Sequence, residues 1–463
     1  MPRSERPVAQ PVITGLGPIS ALGIGLDPTW AALGEGRSGL DEITGFDATG
    51  FPSSAGGELS GFRPTDHVPK SYRKATKVMA RDSALAVAAA RAAVEHAGLR
   101  TRASEPQPST YPDDRLGCLI GAGLISADTA ELGAALASSI RAGSDGGADV
   151  DLEHWGREGI ANLTPLWMLK YLPNMLACHV TIIHGTRGPS NTLVCGEASG
   201  LLSLGEASRI LERGAADAVL TGGVESKLNP LGLARMYAWD RLRRGPASDE
   251  AWRDVRPYDP DAGGSVLGEG GAIFVLESAD AAAARGARAI GVLSGHGSSH
   301  AMLGGDGPES LETDSPETDS SKPDSPNLGI VDACERALED AGVTPGEIDL
   351  IVPQGTGVRS MDRSEAAALG EVFGDALSET PIAAVTPYVG DLVAGAGAFQ
   401  AAVALAAIAE QRFPARLHGG TPAAGLLAGS AESAAGQIRH ALVCCGSLTG
   451  QCAAVVLSAP GVA

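Results

Sequence analysis

The chain has 463 residues, of which 44% are hydrophobic and 19% charged. That is enough apolar mass for one large core or two ordinary ones, and it excludes disorder over most of the length. Its 35 Lys and Arg against 55 Asp and Glu leave a formal net charge of -20, the wrong sign for wrapping a phosphate backbone by counterion release, so no nucleic-acid partner is expected.

The opening MPRSERPVAQPVIT has no apolar run behind its arginines, so no signal peptide is expected and the cytoplasm is the expected compartment. The cysteines, at 118, 178, 195, 334, 444, 445 and 452, form no CxxC pair and no Cys/His spacing that suits zinc. Neither a disulfide scaffold, a structural metal nor a cofactor site is expected. The one stretch of membrane length, 392–409, is built of Ala and Gly rather than Leu and Ile; it reads as a buried helix, not a membrane span.

In chain order, PVITGLGPISALG (11–23) predicts a strand running into a glycine turn, and DSALAVAAARAAVEHAGL (82–99) an amphipathic helix stopped at Ala-Gly. A Pro/Ser-rich loop (101–113) leads to the buried-looking strand LGCLIGAG (116–123). Residues 151–188 carry enough Leu, Met and Trp to cover a large surface, in an interface or, more commonly, in a core. Residues 189–214 predict a short strand, a sharp loop and an Ala-rich helix, and 216–225 a closing strand. The same order then recurs: a strand at 288–300, a helix at 329–343, a strand at 349–357, strand, loop and helix at 381–411, and a closing strand at 440–450. Between the first two of these, 306–328 is acidic and Pro/Ser-rich and reads as a solvated loop. A repeat of this kind predicts two β/α halves, 1–278 and 279–463, with mostly parallel sheets and helices between and around them.

The motifs VITGLGPIS and LGEGRSGLDEITGFD, LACHVTIIHGTRGPSNT, RPYDPDAGGSVLGEGGAIFVLE and QGTGVRSMDRSE resemble those of the β-ketoacyl-ACP synthases of the thiolase superfamily, in the same order and over almost the whole chain. The resemblance implies the α/β thiolase fold, a duplicated five-layer α/β/α/β/α arrangement. It also implies a decarboxylative Claisen condensation, in which a Cys at a helix N-terminus takes the acyl chain and two His stabilise the enolate. At the matching positions this chain has Glu197, Gln354 and Asp391. A carboxylate cannot hold an exchangeable thioester, an amide lacks the acid-base range of imidazole, and an ionised Asp repels both malonyl and enolate. The aromatic gate that the family carries near its C-terminus is replaced by Gly446 and Leu448, whereas Asp259, Glu269, Asp362 and Glu365 match acidic positions that look structural.

Cys195 is the fallback nucleophile, although a Cys on a strand entering a turn is expected to pack in the core. His179 and His184 lie in a strand-like stretch and are expected to face opposite ways, so they make no shared ligand site. The glycine strings TGLGPIS and GEGG lack the residues of a nucleotide loop.

A ketosynthase fold without its nucleophile is most similar to the chain length factor, or ketosynthase β, of type II polyketide synthases, although members of that group usually carry Gln at the position of Glu197. The resemblance implies a non-catalytic subunit that pairs with an active ketosynthase α and shapes its acyl tunnel, with acyl carrier protein docking mainly on the partner. It places an interface insertion at about 124–188, with Ala127, Ala130, Ala134 and Ala135 along the tunnel. Small side chains there imply a roomy tunnel for a long or rigid chain. The alternatives are a self-sufficient condensing enzyme using Cys195, a malonyl-ACP decarboxylase that initiates chains, and a silent homodimer that binds acyl-ACP.

Overall fold

A computed structural model describes residues 11–462 apart from 105, 144–145, 245–252, 254, 302–325, 418–420, 424, 428 and 430–431. Most of the expected acidic loop at 306–328 lies outside the described residues. The main strands are β1 (Val12–Ser20), β2 (Leu116–Gly121), β3 (Ser190–Leu193), β4 (Ala218–Ser226), β5 (Glu269–Glu277), β6 (Gly291–His300), β7 (Leu350–Val352), β8 (His440–Gly446) and β9 (Gln451–Ser458). The main helices are α1 (Leu26–Glu35), α2 (Arg81–His96), α3 (Thr129–Ser138), α4 (Met175–His184), α5 (Ser199–Glu212), α6 (Pro230–Ala238), α7 (Leu328–Ala341), α8 (Arg359–Phe373) and α9 (Ala396–Glu410).

The strands follow the order β3-β2-β4-β5-β1-β6-β9-β8-β7. Each side of the β1–β6 junction carries the same arrangement. β1 pairs with β5, β5 with β4, β4 with β2 and β2 with β3; likewise β6 pairs with β9, β9 with β8 and β8 with β7, and β7 meets Ile382 in a single parallel bridge. The expected strand at the start of 381–411 is thus reduced to that bridge. The expectation of mostly parallel sheets is also corrected: the β1–β5, β4–β5, β6–β9 and β8–β9 pairings are antiparallel. β5 and β9, which return beside the closing strands, are the elements the sequence repeat omits.

Glycines set how closely the outer helices approach. β1 runs through Gly15 and Gly17 and turns after Ser20 toward Gly23, as expected; a Cβ on Gly15 or Gly17 would meet the Ala93 or Ala89 carbonyl of α2 at 2.3 and 2.0 Å. In β6, Gly295 and Gly297 bear the same relation to the Ala337 and Ala333 carbonyls of α7. Missing side chains therefore let each outer helix lie against its strand.

The core has three layers. Leu204 of α5 and Phe399 and Leu405 of α9 pack with Phe274 and Val455 between the strands of the two halves. Leu85, Val180 and Ile273 fill the outer layer on one side, and Ile330, Leu369 and Val456 that on the other. The helical segment Val393–Glu410, long and apolar enough to cross a membrane, is 83% buried inside the fold and is a core helix, as expected.

Candidate functional site

Glu197 sits in the turn between β3 and α5. Gly196 turns the chain at φ 56°, Ala198 is already helical and α5 begins at Ser199. The Glu197 side chain is buried and receives a hydrogen bond from Nη1 of Arg241. Arg241 follows α6 and a left-handed Asp240 at φ 51°, a conformation that Asp tolerates better than most residues. Its backbone N–H donates to Met236 O at 3.1 Å and its carbonyl accepts from Ser265 N at 2.9 Å. Fixed at both ends, the side chain runs inward and is 2% exposed, and its Nη2 donates to Asp391 Oδ2 at 2.9 Å.

Asp391 is set by the loop after Gly390, whose φ is 79°. Its N–H donates to Val266 O at 2.8 Å, its carbonyl accepts from Gly268 N at 2.9 Å, and its Oδ1 accepts from Val393 N at 2.9 Å. Burial raises the Asp391 pKa, and Arg241 opposes that rise. For Arg241, burial works against the charge, but the two carboxylates outweigh it and hold the guanidinium firmly protonated. A buried cation is thus clamped between the carboxylates at positions 197 and 391.

Gln354 and Asp391 line one cavity of about 10 Å³ with Thr356, Thr386 and Gln400, room for about one water. Gln354 Oε1 accepts from Gly446 N at 3.1 Å, and its Nε2 has no partner among the described residues. The loop carrying it is pinned by two buried acids. Glu365 accepts from the N–H groups of Gln354 and Gly355 and from the Tyr258 hydroxyl, and Asp362 from the N–H groups of Tyr258, Thr356 and Gly357. Glu269 pairs with Arg81 at 2.6 Å, and Asp259 with Arg256 at 3.6 Å. All four acids are engaged in holding the scaffold.

Cys195 is half-buried rather than packed in the core. β3 is an edge strand with only β2 beside it, so its end is incompletely covered. Burial still raises the Cys195 thiol pKa, the reverse of nucleophile activation. His179 and His184 lie on helix α4, not on a strand. The stretch is apolar on several sides and so lacks a clear helical stripe, and a left-handed Gly185 ends it. His179 Nδ1 meets the Tyr72 hydroxyl and His184 Nδ1 the Thr101 hydroxyl, each at 2.9 Å. Their neighbours differ, and they make no joint site.

Of the four alanines, Ala130 and Ala134 are exposed, Ala127 is half-buried and Ala135 is fully buried. α3 is capped by the Asp128 carboxylate and tied through Glu131 to Lys170 and Tyr171, each at 2.6 Å. Around it, Leu124, Ile140, Leu152, Leu166 and Met168 are all more than half exposed. In the stretch 151–188, Leu176, Val180 and Ile183 enter the core while Leu166 and Met168 do not.

Arg241 and a basic surface strip are not legible in the sequence. Arg241 was hidden because it sits in no motif, in a charged run with Asp240, Arg243 and Arg244 that reads as a solvated surface. Lys70, Arg73, Lys74 and Lys77 form an exposed basic strip with no ion pair among the described residues, masked by the strongly negative total.

Comparison with known proteins decides the family. Residues 9–282 match the beta-ketoacyl synthase N-terminal domain and residues 311–420 the beta-ketoacyl synthase C-terminal domain. The chain belongs to the β-ketoacyl synthase family. Among β-ketoacyl synthases it is 32% identical over 416 residues to the tetracenomycin polyketide synthase ketoacyl synthase beta subunit of Streptomyces glaucescens, covering 90% of this chain and 89% of that one. It is 31% identical to the actinorhodin polyketide putative beta-ketoacyl synthase 2 of Streptomyces coelicolor, with 86% of each chain covered. It is also 28% identical to a 3-oxoacyl-[acyl-carrier-protein] synthase 2 of Staphylococcus aureus, covering 89% of this chain and 91% of that one. The ishigamide ketosynthase/chain length factor structure superposes with a TM-score of 0.76 at 27% identity, over 98% of this chain and 100% of that one. The fold is the thiolase fold of these synthases.

Proposed function

We propose that this β-ketoacyl synthase homologue is a chain length factor: a subunit without condensing activity that pairs with an active ketosynthase α and sets product length in type II polyketide biosynthesis. The observation that carries this reading is Arg241. It occupies the space between Glu197 and Asp391 and leaves a cavity of about 10 Å³ beside Gln354. No acyl group fits there, no thiol stands at position 197, and the neighbouring acid opposes an enolate. The exposed apolar side chains around α3 support pairing through the 124–188 insertion, with Ala130 and Ala134 facing outward, where a partner's tunnel would meet them.

We divide the chain at 278/279, between the two repeats of strand order. Carrier docking falls mainly on the partner; on this chain, the basic strip at Lys70–Lys77 is where an acidic carrier would find complementary charge. The test is a condensation assay with malonyl-ACP, run on this chain alone, on a ketosynthase α alone, and on the pair. Extension by the pair and none by this chain alone supports the proposal, and extension by this chain alone overturns it.

A further inference from the structure

The arrangement of charges beneath α3 goes further. Lys227, just past the end of β4, is 7% exposed. Its Nζ donates to the Glu225 carboxylate and, at 2.5 Å, to the carbonyl of Leu124. Asp82 of α2 lies beside this pair and accepts from Ser226 N at 3.1 Å. The other Glu225 oxygen accepts from Ala394 N at 2.9 Å, three residues beyond Asp391. Gly123 brings its backbone so close that a Cβ there would fall 1.8 Å from Glu225 Oε1.

Residues 122–128 connect β2 to the cap of α3 and form no regular structure. They are held by Ala122 N to Leu193 O at 2.9 Å, by Lys227 on Leu124, and by the Tyr171 hydroxyl on Asp128 N at 3.2 Å. Polar contacts thus link Glu197 through Arg241 to Asp391 and Val393; the adjoining Ala394 is bonded to Glu225, and Lys227 in turn holds Leu124 in the backbone segment that leads to α3.

We infer that Lys227 is a positioning residue: with Glu225 it ties the vestigial site to the segment 122–128 and so sets where α3 presents Ala130 and Ala134. Its consequence for product length rests on the length-setting reading above; the tie itself does not. A buried ammonium bridging a carboxylate and a carbonyl is costly to loosen, because each partner lost leaves a desolvated polar group.

The experiment compares three forms of the full chain by amide hydrogen exchange, and then the products that these three and an Ala130→Trp variant give with a ketosynthase α. The three forms are the parent, Lys227→Met, which keeps the stem and removes the ammonium, and Gly123→Ala, which pushes the loop off Glu225 without altering charge. Should Lys227→Met fail to fold, Gly123→Ala carries the test. The expected result is exchange at amides 122–128 faster by roughly tenfold in each variant, unchanged exchange in α7 and α8, and a broadened product-length distribution. Unchanged exchange at 122–128 overturns the inference whatever the products. Faster exchange there, with Ala130→Trp leaving products unaltered, keeps the tie and overturns the length-setting reading instead. If Ala130→Trp shifts the products and the loosened variants do not, the positioning role is overturned.

Discussion

Glu197 and Asp391 share one cation: Arg241 donates to both, at 2.9 Å to Asp391, and all three side chains are at most 4% exposed. Two carboxylates brought so close into a dry interior would repel each other and force one to take up a proton. The guanidinium removes that conflict and fills the space between the two carboxylates. On the proposed function this guanidinium acts as a charged plug, kept in place by the charge balance among Glu197, Arg241 and Asp391.

Removing the plug alone is expected to be expensive. Arg241→Met leaves two buried carboxylates without a counter-ion and should destabilise the fold by about 3–5 kcal/mol. The triple change Glu197→Gln, Arg241→Met, Asp391→Asn removes the charges together and should recover most of that loss. Urea unfolding of the parent, single and triple variants checks it; equal losses in single and triple variants would show that the shape of Arg241, not its charge, matters.

At the proposed tunnel wall, Ala130 and Ala134 are exposed in this chain, so Ala130→Trp should change its own stability by no more than about 0.5 kcal/mol. In the complex with a ketosynthase α the same change should shorten the products. Mass spectrometry of the released chains reads this directly, and an unshifted distribution would remove α3 from the tunnel.

His184 supplies a pH signature. Fully buried on the Thr101 hydroxyl, it has its pKa pushed down by burial to about 4. A depressed pKa means that the unfolded chain binds the proton more readily. This contribution is complete above pH 6.5 and is lost as pH falls toward 4, by roughly 3 kcal/mol at that point. His184→Leu should therefore lose less stability than the parent between pH 7 and pH 4, by about that amount. Parallel curves for the two proteins would mean that His184 is not the titrating group.

Much of the fold was legible because the signals were local and repeated. Ala-Gly helix stops, β-branched runs and the order strand, helix, strand, helix, strand occur in both halves, and Gly342 caps α7 in the left-handed form expected. Other features depend on contacts distant in sequence. The reason for glycine at position 17 in β1 is not legible until the Ala89 carbonyl of α2 is known to lie against it. Helix α4, apolar around most of its surface, offers no stripe to separate helix from strand. At the site, Glu197, Gln354 and Asp391 were found by their positions in motifs, and the structure gathers Gln354 and Asp391 around one cavity with Glu197 linked through Arg241. Arg241 and Lys227 lie in no motif; their meaning comes only from the carboxylates that the fold sets beside them.

Whether this chain takes up an acyl group is read from its intact mass. The purified chain is exposed to acyl-ACP and malonyl-ACP, alone and then together with a ketosynthase α. The expected result is an unmodified mass for this chain in both mixtures, an acyl adduct on the partner, and extended products only from the pair. An acyl adduct on this chain, at Cys195 or any other residue, would contradict it and make the protein a condensing enzyme in its own right.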